Sequence, residues 1–162
     1  VAGAVADGLI CHGFTTAEYF RDVTIPNLER GLAGAGRTRA DVEVTLPVMC
    51  VVDGDLGAPL DLARATIASY GSTPAYRAVL EHHGWGELGD ELHALSRKGE
   101  WATMATLVED DVVDTFCAIG DTAEVAAKVH ERFGGVVDRL QLGPQGSDDE
   151  FAELVSALHH PA

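Results

Sequence analysis

Apolar and polar positions along the chain switch between a period of two and a period near 3.6, and the switches mark out successive βα units. Residues 7–12 (DGLICH) form a short apolar run of the length of a buried parallel strand. Thr15 and Glu18 follow in capping-box spacing, which predicts a helix that opens there, is divided at Pro26 and ends at Gly34 and Gly36. The β-branched run over 42–52 (VEVTLPVMCVV) predicts the second strand. The next such run, 116–119 (FCAI), comes only after residues 53–115, too long a stretch for a bare crossover loop. That interval reads as helical over 58–69, 74–83, 87–98 and 100–108, with Pro74 in a first turn where its missing N–H costs nothing.

The third strand leads into Asp121-x-x-Glu124, a second capping box, and Val125, Val129 and Phe133 then share one helix face. Gly134-Gly135 stops that helix. Residues 136–142 (VVDRLQL) give the fourth strand, and Ser147-x-x-Glu150 opens a last helix with Phe151, Leu154, Val155 and Leu158 as its apolar stripe. Strands that alternate with helices predict an α/β fold with a parallel sheet and right-handed crossovers. Four units cannot close a barrel, so two architectures stand: a small open doubly wound sheet, or half of a (β/α)8 barrel with a long helical insertion between its second and third strands. One domain over 1–162 is expected. The stretch 1–6 already reads as the end of an apolar element with no initiator Met before it, as in a fragment of a larger enzyme.

Charge narrows the range of partners. The 26 Asp and Glu against 11 Lys and Arg leave a net charge of -15, which repels nucleic acid. No apolar run nears the roughly 20 residues of a membrane span, and no basic-then-apolar leader opens the chain, so no membrane partner and a cytoplasmic location are expected. Cys11, Cys50 and Cys117 are odd in number, lack CxxC spacing and lie in apolar stretches, as buried thiols do.

Several stretches in combination resemble the luciferase-like monooxygenase superfamily, in particular its branch that uses the deazaflavin coenzyme F420. Val5-Ala-Asp-Gly-Leu-Ile-Cys-His12 is similar to that family's fifth barrel strand, Gly36-Arg37 to the approach to its sixth, Phe116-Cys-Ala-Ile-Gly-Asp-Thr-Ala-Glu-Val125 to its F-x-x-x-G-x-x-x-E-V segment, and Val137-Asp-Arg-Leu-Gln-Leu142 to its final strand. Tyr70-Gly-Ser-Thr-Pro-Ala-Tyr-Arg77 and His83-Gly-Trp85 look like an insertion found in one oxidoreductase subgroup. The resemblance implies the C-terminal half of a TIM barrel, hydride transfer between F420 and a small organic substrate, and an N-terminal half that supplies most cofactor contacts. An FMN-dependent monooxygenase of the same superfamily, or a non-catalytic half-barrel subunit, is the alternative. A homo-oligomer, or association with the N-terminal half, is the expected assembly.

In a parallel barrel the chemistry lies at the C-terminal ends of the strands, which singles out Cys11 and His12. An imidazole there serves as proton donor or ligand contact, or else as a loop residue bonded to backbone. Cys11 has no cation in the neighbouring sequence to activate it. Tyr70, Ser72, Tyr76 and Arg77 offer hydroxyls and one cation for an oxidised substrate or an acidic cofactor tail, with a surface ion pair the competing use of Arg77. Trp85 is either an aromatic lid or a packing anchor. His82, His83 and His93 have no metal-ligand spacing, and His159-His160 reads as a frayed end. Gly143-Pro-Gln-Gly146 sits where barrels bind phosphate, but Asp148, Asp149 and Glu150 already complement the helix that follows.

Overall fold

The computed structural model describes residues 1–52, 57–143 and 147–159. A single helical turn, α1 (Ala2–Val5), precedes β1 (Gly8–Ile10). Strand β1 pairs in parallel with β2 (Glu43–Pro47), which pairs in parallel on its other side with β5 (Arg139–Gln141). Strand β3 (Met49–Val52) pairs in parallel with β4 (Cys117–Gly120) in a separate two-stranded sheet. The one strand expected over 42–52 is thus two strands, and the expected four-stranded sheet is two smaller ones. Pro47 accounts for the break, because it has no N–H for the ladder and the pairing changes partners at Val48, whose N–H still reaches the Gln141 carbonyl at 3.0 Å.

The alternation of side chains survives that break. Val44, Leu46, Val48, Cys50 and Val52 all turn to one core, which is completed by α3 (Ile25–Gly34), α9 (Thr122–Phe133) and α10 (Asp148–His159). Helix α3 contributes Leu28 and Leu32, α9 the expected Val125, Val129 and Phe133, and α10 the fully buried Leu154. On the opposite side the strands part company. Glu43, Thr45 and Pro47 look onto an open face shared with Ile10, which is 77% exposed, and with Arg139, paired to Glu43 at 2.8 Å.

Met49 packs on a second core, built by the insertion helices α4 (Gly57–Gly71), α5 (Arg77–His82), α6 (Gly86–Ser96), α7 (Trp101–Thr106) and α8 (Asp110–Phe116). Ile67, Leu80, Leu92, Met104 and Val113 fill it. Phe116 closes α8 rather than opening the third strand, as the sequence suggested, because Val112, Val113 and Phe116 lie on one buried helical face. Sheet β3–β4 separates the two cores: Cys50, Val52 and Ala118 face the first, Cys117 and Ile119 the second.

The helix that follows β1 is capped one residue later than expected. Thr16 Oγ1, not that of Thr15, accepts the Tyr19 N–H at 3.1 Å and opens α2 (Ala17–Tyr19). Pro26 does not divide the helix, since a π-helical turn over Phe20–Thr24 leads continuously from α2 into α3 and its wider spacing absorbs the missing donor. The Asp121–Glu124 box forms as read, with N–H to carboxylate distances of 2.9 and 3.1 Å. Ser147 and Glu150 cap α10 reciprocally as well. Among the described residues no helix is long and apolar enough to cross a membrane. The loop residues 144–146, His160 and the start of the insertion at 53–56 lie outside the described residues.

Candidate functional site

Just past β1 the chain leaves the sheet at its C-terminal end, with the Cys11 N–H still held by the Thr45 carbonyl at 2.9 Å. Gly13 then passes so close to Pro47 that a Cβ there would stand 3.1 Å from the proline carbonyl oxygen, a tight fit for any side chain. Phe14 anchors the loop: it is 2% exposed and stacks on Phe116 with centroids 4.6 Å apart. Its backbone N–H donates to His12 Nδ1 at 3.0 Å. A backbone amide can only donate, so Nδ1 holds its lone pair and the neutral ring carries its proton on Nε2.

His12 is exposed at the strand end and meets two aromatic residues of the insertion. Tyr76 stacks on it at 4.5 Å with its hydroxyl 3.1 Å from Nε2, and Tyr70 meets it edge-on at 5.0 Å. Two pockets flank the ring. A front pocket of about 330 Å³ runs from His12 and Tyr70 to Pro47, Val48 and Met49, over the C-terminal end of β2 and the start of β3. A rear pocket of about 260 Å³ lies between Tyr76, Val79, Tyr19 and Phe20. Cys11 lines both, and burial pushes its thiol up to about 11, so it is a neutral wall rather than a nucleophile.

The remaining expected residues are engaged in holding the insertion together. Arg77 pairs through Nε with Glu81 at 2.6 Å and through both terminal nitrogens with Asp90, which raises its pKa further and lowers that of Asp90. It straps α5 to α6. Ser72 is buried, donates to the Ser69 carbonyl at 2.7 Å, and its own carbonyl accepts from His93 Nδ1 at 2.9 Å. Trp85 stacks on His83 at 4.8 Å and leans on Phe116, as a packing anchor does.

Two features beside the site carry no motif in the sequence. Thr16 Oγ1 lies 2.7 Å from His83 Nε2, which ties the end of α5 to the start of α2. That oxygen also accepts from Tyr19, and burial lowers the pKa of His83. His82 pairs with Asp22 at 3.2 Å. A separate cleft of about 590 Å³ runs between β5, α9 and α10, walled by Phe133, Leu140 and Val155, and beside it His130 Nε2 is buried with no hydrogen-bond partner among the described residues. No group of His, Cys, Asp and Glu able to hold a metal occurs among those residues.

Comparison with known proteins bears on both the fold and the strand-end pocket. The chain is 44% identical over 143 residues to an uncharacterized protein of Mycobacterium tuberculosis, covering 86% of this chain and 42% of that one. It is 29% identical to the 5,10-methylenetetrahydromethanopterin reductase of Methanopyrus kandleri, covering 95% and 44% of the two chains. The solved structure of the coenzyme F420-dependent tetrahydromethanopterin reductase from Methanopyrus kandleri superposes with a TM-score of 0.74 at 24% identity, over 95% of this chain and 44% of that one, and shows a shared α/β fold. The chain therefore spans less than half the length of these relatives. The profile of the luciferase-like monooxygenase family matches residues 1–139, and the chain belongs to that family.

Proposed function

We propose that this chain is the C-terminal half-barrel, folded as one domain, of an F420-dependent oxidoreductase that transfers a hydride between coenzyme F420 and a small organic substrate. The observation that carries this reading is the front pocket, where an exposed imidazole and an aromatic wall stand at the C-terminal ends of parallel strands. Its lining of Tyr70, His12, Met49 and Val48 suits a flat ring. Its lining holds no cation, so an acidic cofactor tail would be held by the other half of the barrel. Bound F420 would supply the hydride. The residues of this chain would orient the ring, keep water from one face and present the His12 imidazole beside it.

The open face supports the same assembly. Gly8, Ile10, Thr45 and Gln141 alternate with the buried side chains and correspond to the inward face of a barrel. The outer edges of β1 and β5 are then the places where strands of the other half pair, and the apolar cleft along β5 takes that half's neighbouring helix. Fusing the chain to the preceding half of the Mycobacterium tuberculosis relative and following F420 reduction and reoxidation tests this. Turnover with F420 is expected, and His12→Ala should lower kcat/KM tenfold or more, the scale of about 1.4 kcal/mol. Oxygen consumption with reduced FMN and none with F420 would overturn the cofactor assignment, and unchanged kinetics in His12→Ala would return that residue to a loop role.

A further inference from the structure

We propose that Phe116, the last residue of α8, is a positioning residue for the strand-end site: acting through Phe14, it fixes His12 as a hydrogen-bond donor at Nε2. The loop between β1 and α2 shows why such a device is needed. The Cys11 N–H is tied to the sheet through the Thr45 carbonyl, and the Thr15 N–H closes a tight turn on the Gly13 carbonyl at 3.0 Å. Between them the Phe14 N–H has no backbone acceptor among the described residues and donates to His12 Nδ1 at 3.0 Å. The proton position on the imidazole therefore depends on where one backbone amide stands.

That amide is placed by its own side chain. The Phe14 ring lies in the insertion's core, although its loop follows a scaffold strand, and it stacks on Phe116 with the ring planes 23° apart. Stacked rings keep a preferred geometry and add to the burial that any apolar contact gives. Phe116 in turn stands at the junction of α8 and β4. Arg132 of α9 clamps that junction on both sides, donating to the Asp114 and Cys117 carbonyls at 2.7 Å each. The path from Arg132 through Phe116 and Phe14 to His12 thus joins a scaffold helix to the imidazole. A ring held as acceptor at Nδ1 leaves Nε2–H to meet a ligand, so the ligand atom there is an acceptor such as a carbonyl oxygen. Nε2 now faces the Tyr76 hydroxyl in an exposed contact, and an acceptor that displaces this hydroxyl leaves it to water. The tautomer is a property of this chain alone, while its bearing on turnover rests on the proposed function.

Phe116→Leu keeps an apolar side chain in the core and removes the ring, and Phe14→Leu does the same from the other side of the stack while keeping the amide. In long-range proton–nitrogen spectra of the 162-residue chain at about pH 8, where an ordinary imidazole is neutral, His12 should be protonated at Nε2 alone. Each variant should show both tautomers, and the amide of residue 14 should exchange roughly fivefold or more faster, the factor expected from one net hydrogen bond. Val125 and Val129 of α9 should keep their amide protection, which separates a loosened loop from a loosened fold. The double variant should behave as either single one, since all three remove the same contact. In the fused protein Phe116→Leu should lower kcat/KM by roughly threefold or more, and should change nothing further once His12→Ala is present. Protonation at Nδ1 in the unsubstituted chain, an unchanged tautomer and amide in both variants, effects that add in the double variant, protection lost throughout α9 in both variants, or a further kinetic loss on top of His12→Ala would each overturn the proposal. Absent F420 turnover beside the expected spectra would count against the proposed function alone, so the two readings fail separately.

Discussion

The two cores on either side of sheet β3–β4 are built on different principles. The first is a strand layer covered by α3, α9 and α10, with side chains set by two regular periods and α9 and α10 opened by capping boxes. The second is a cluster of helices of 6 to 15 residues, joined by short turns, seated on sheet β3–β4 and tied to the segment after β1 through single side chains. Those ties, Thr16 to His83, Tyr76 to His12 and Phe14 to Phe116, are also the residues at or next to the strand-end site. The scaffold core fixes where the strands end, and the insertion core decides what stands over them.

The comparison can be broken most directly from the scaffold side. Phe20 is 1% exposed and meets Phe133 edge-on at 6.2 Å, so Phe20→Ala should cost about 3 to 5 kcal/mol. Both tryptophans belong to the insertion, and since Trp101 is 57% exposed, a change in fluorescence on unfolding comes chiefly from Trp85, which packs on the second core. If the cores unfold as one unit, the substitution shifts the fluorescence melt as far as the far-UV circular dichroism melt. A fluorescence melt that stays in place would establish two independent units.

A smaller effect should come from acid. His83 touches Thr16, Trp85 and His82, with Glu18 and Asp22 nearby, and burial outweighs the pull of Glu18 to lower its pKa. The native state therefore resists protonation that the unfolded chain accepts. Stability is complete above the ordinary imidazole value of about 6.5 and falls as the pH drops below it, levelling once the lowered native value is passed. The drop in Tm between about pH 7.5 and about pH 5.5 should shrink in His83→Gln, whose amide can still meet Thr16. An identical drop in the variant would show that the tie between the cores is not proton-linked.

The smallest effect is expected at Arg77. Its pairs with Glu81 and Asp90 are exposed and screened by salt, so Arg77→Met should scarcely move Tm at physiological ionic strength and should leave F420 turnover in the fused protein intact. A selective loss of affinity for the cofactor would instead give the guanidinium a part in binding its acidic tail.

Much of the scaffold is legible in the sequence, because the signals there are local. The alternation over 42–52, the face Val125, Val129 and Phe133, and the reciprocal caps at Asp121 and Ser147 each need only a few neighbouring residues. Pro47 was visible too, but its consequence was not: a missing N–H says that a ladder is interrupted, not that the strand carries on in a different sheet. Pro26 was misleading for the complementary reason, since a π-helical turn accommodates what a proline usually breaks. At the site, His12, Tyr70 and Tyr76 could be named from their position, whereas the Phe14 amide that fixes the imidazole tautomer is a backbone group and leaves no mark in composition. Arg77 stood out for its charge, and only the fold brings Asp90, thirteen residues on, around to meet it.

Sheet β3–β4 reaches the insertion through one face only, chiefly through Met49, Cys117 and Ile119. Its other face, with Cys50, Val52 and Ala118, belongs to the first core. A protein divided in this way can exchange the whole helical cluster for another of different shape while its strand layer keeps every contact on the far side. The residues that an exchange must respect are few, so the ligand preference of such a chain can diverge quickly while its framework stays almost still.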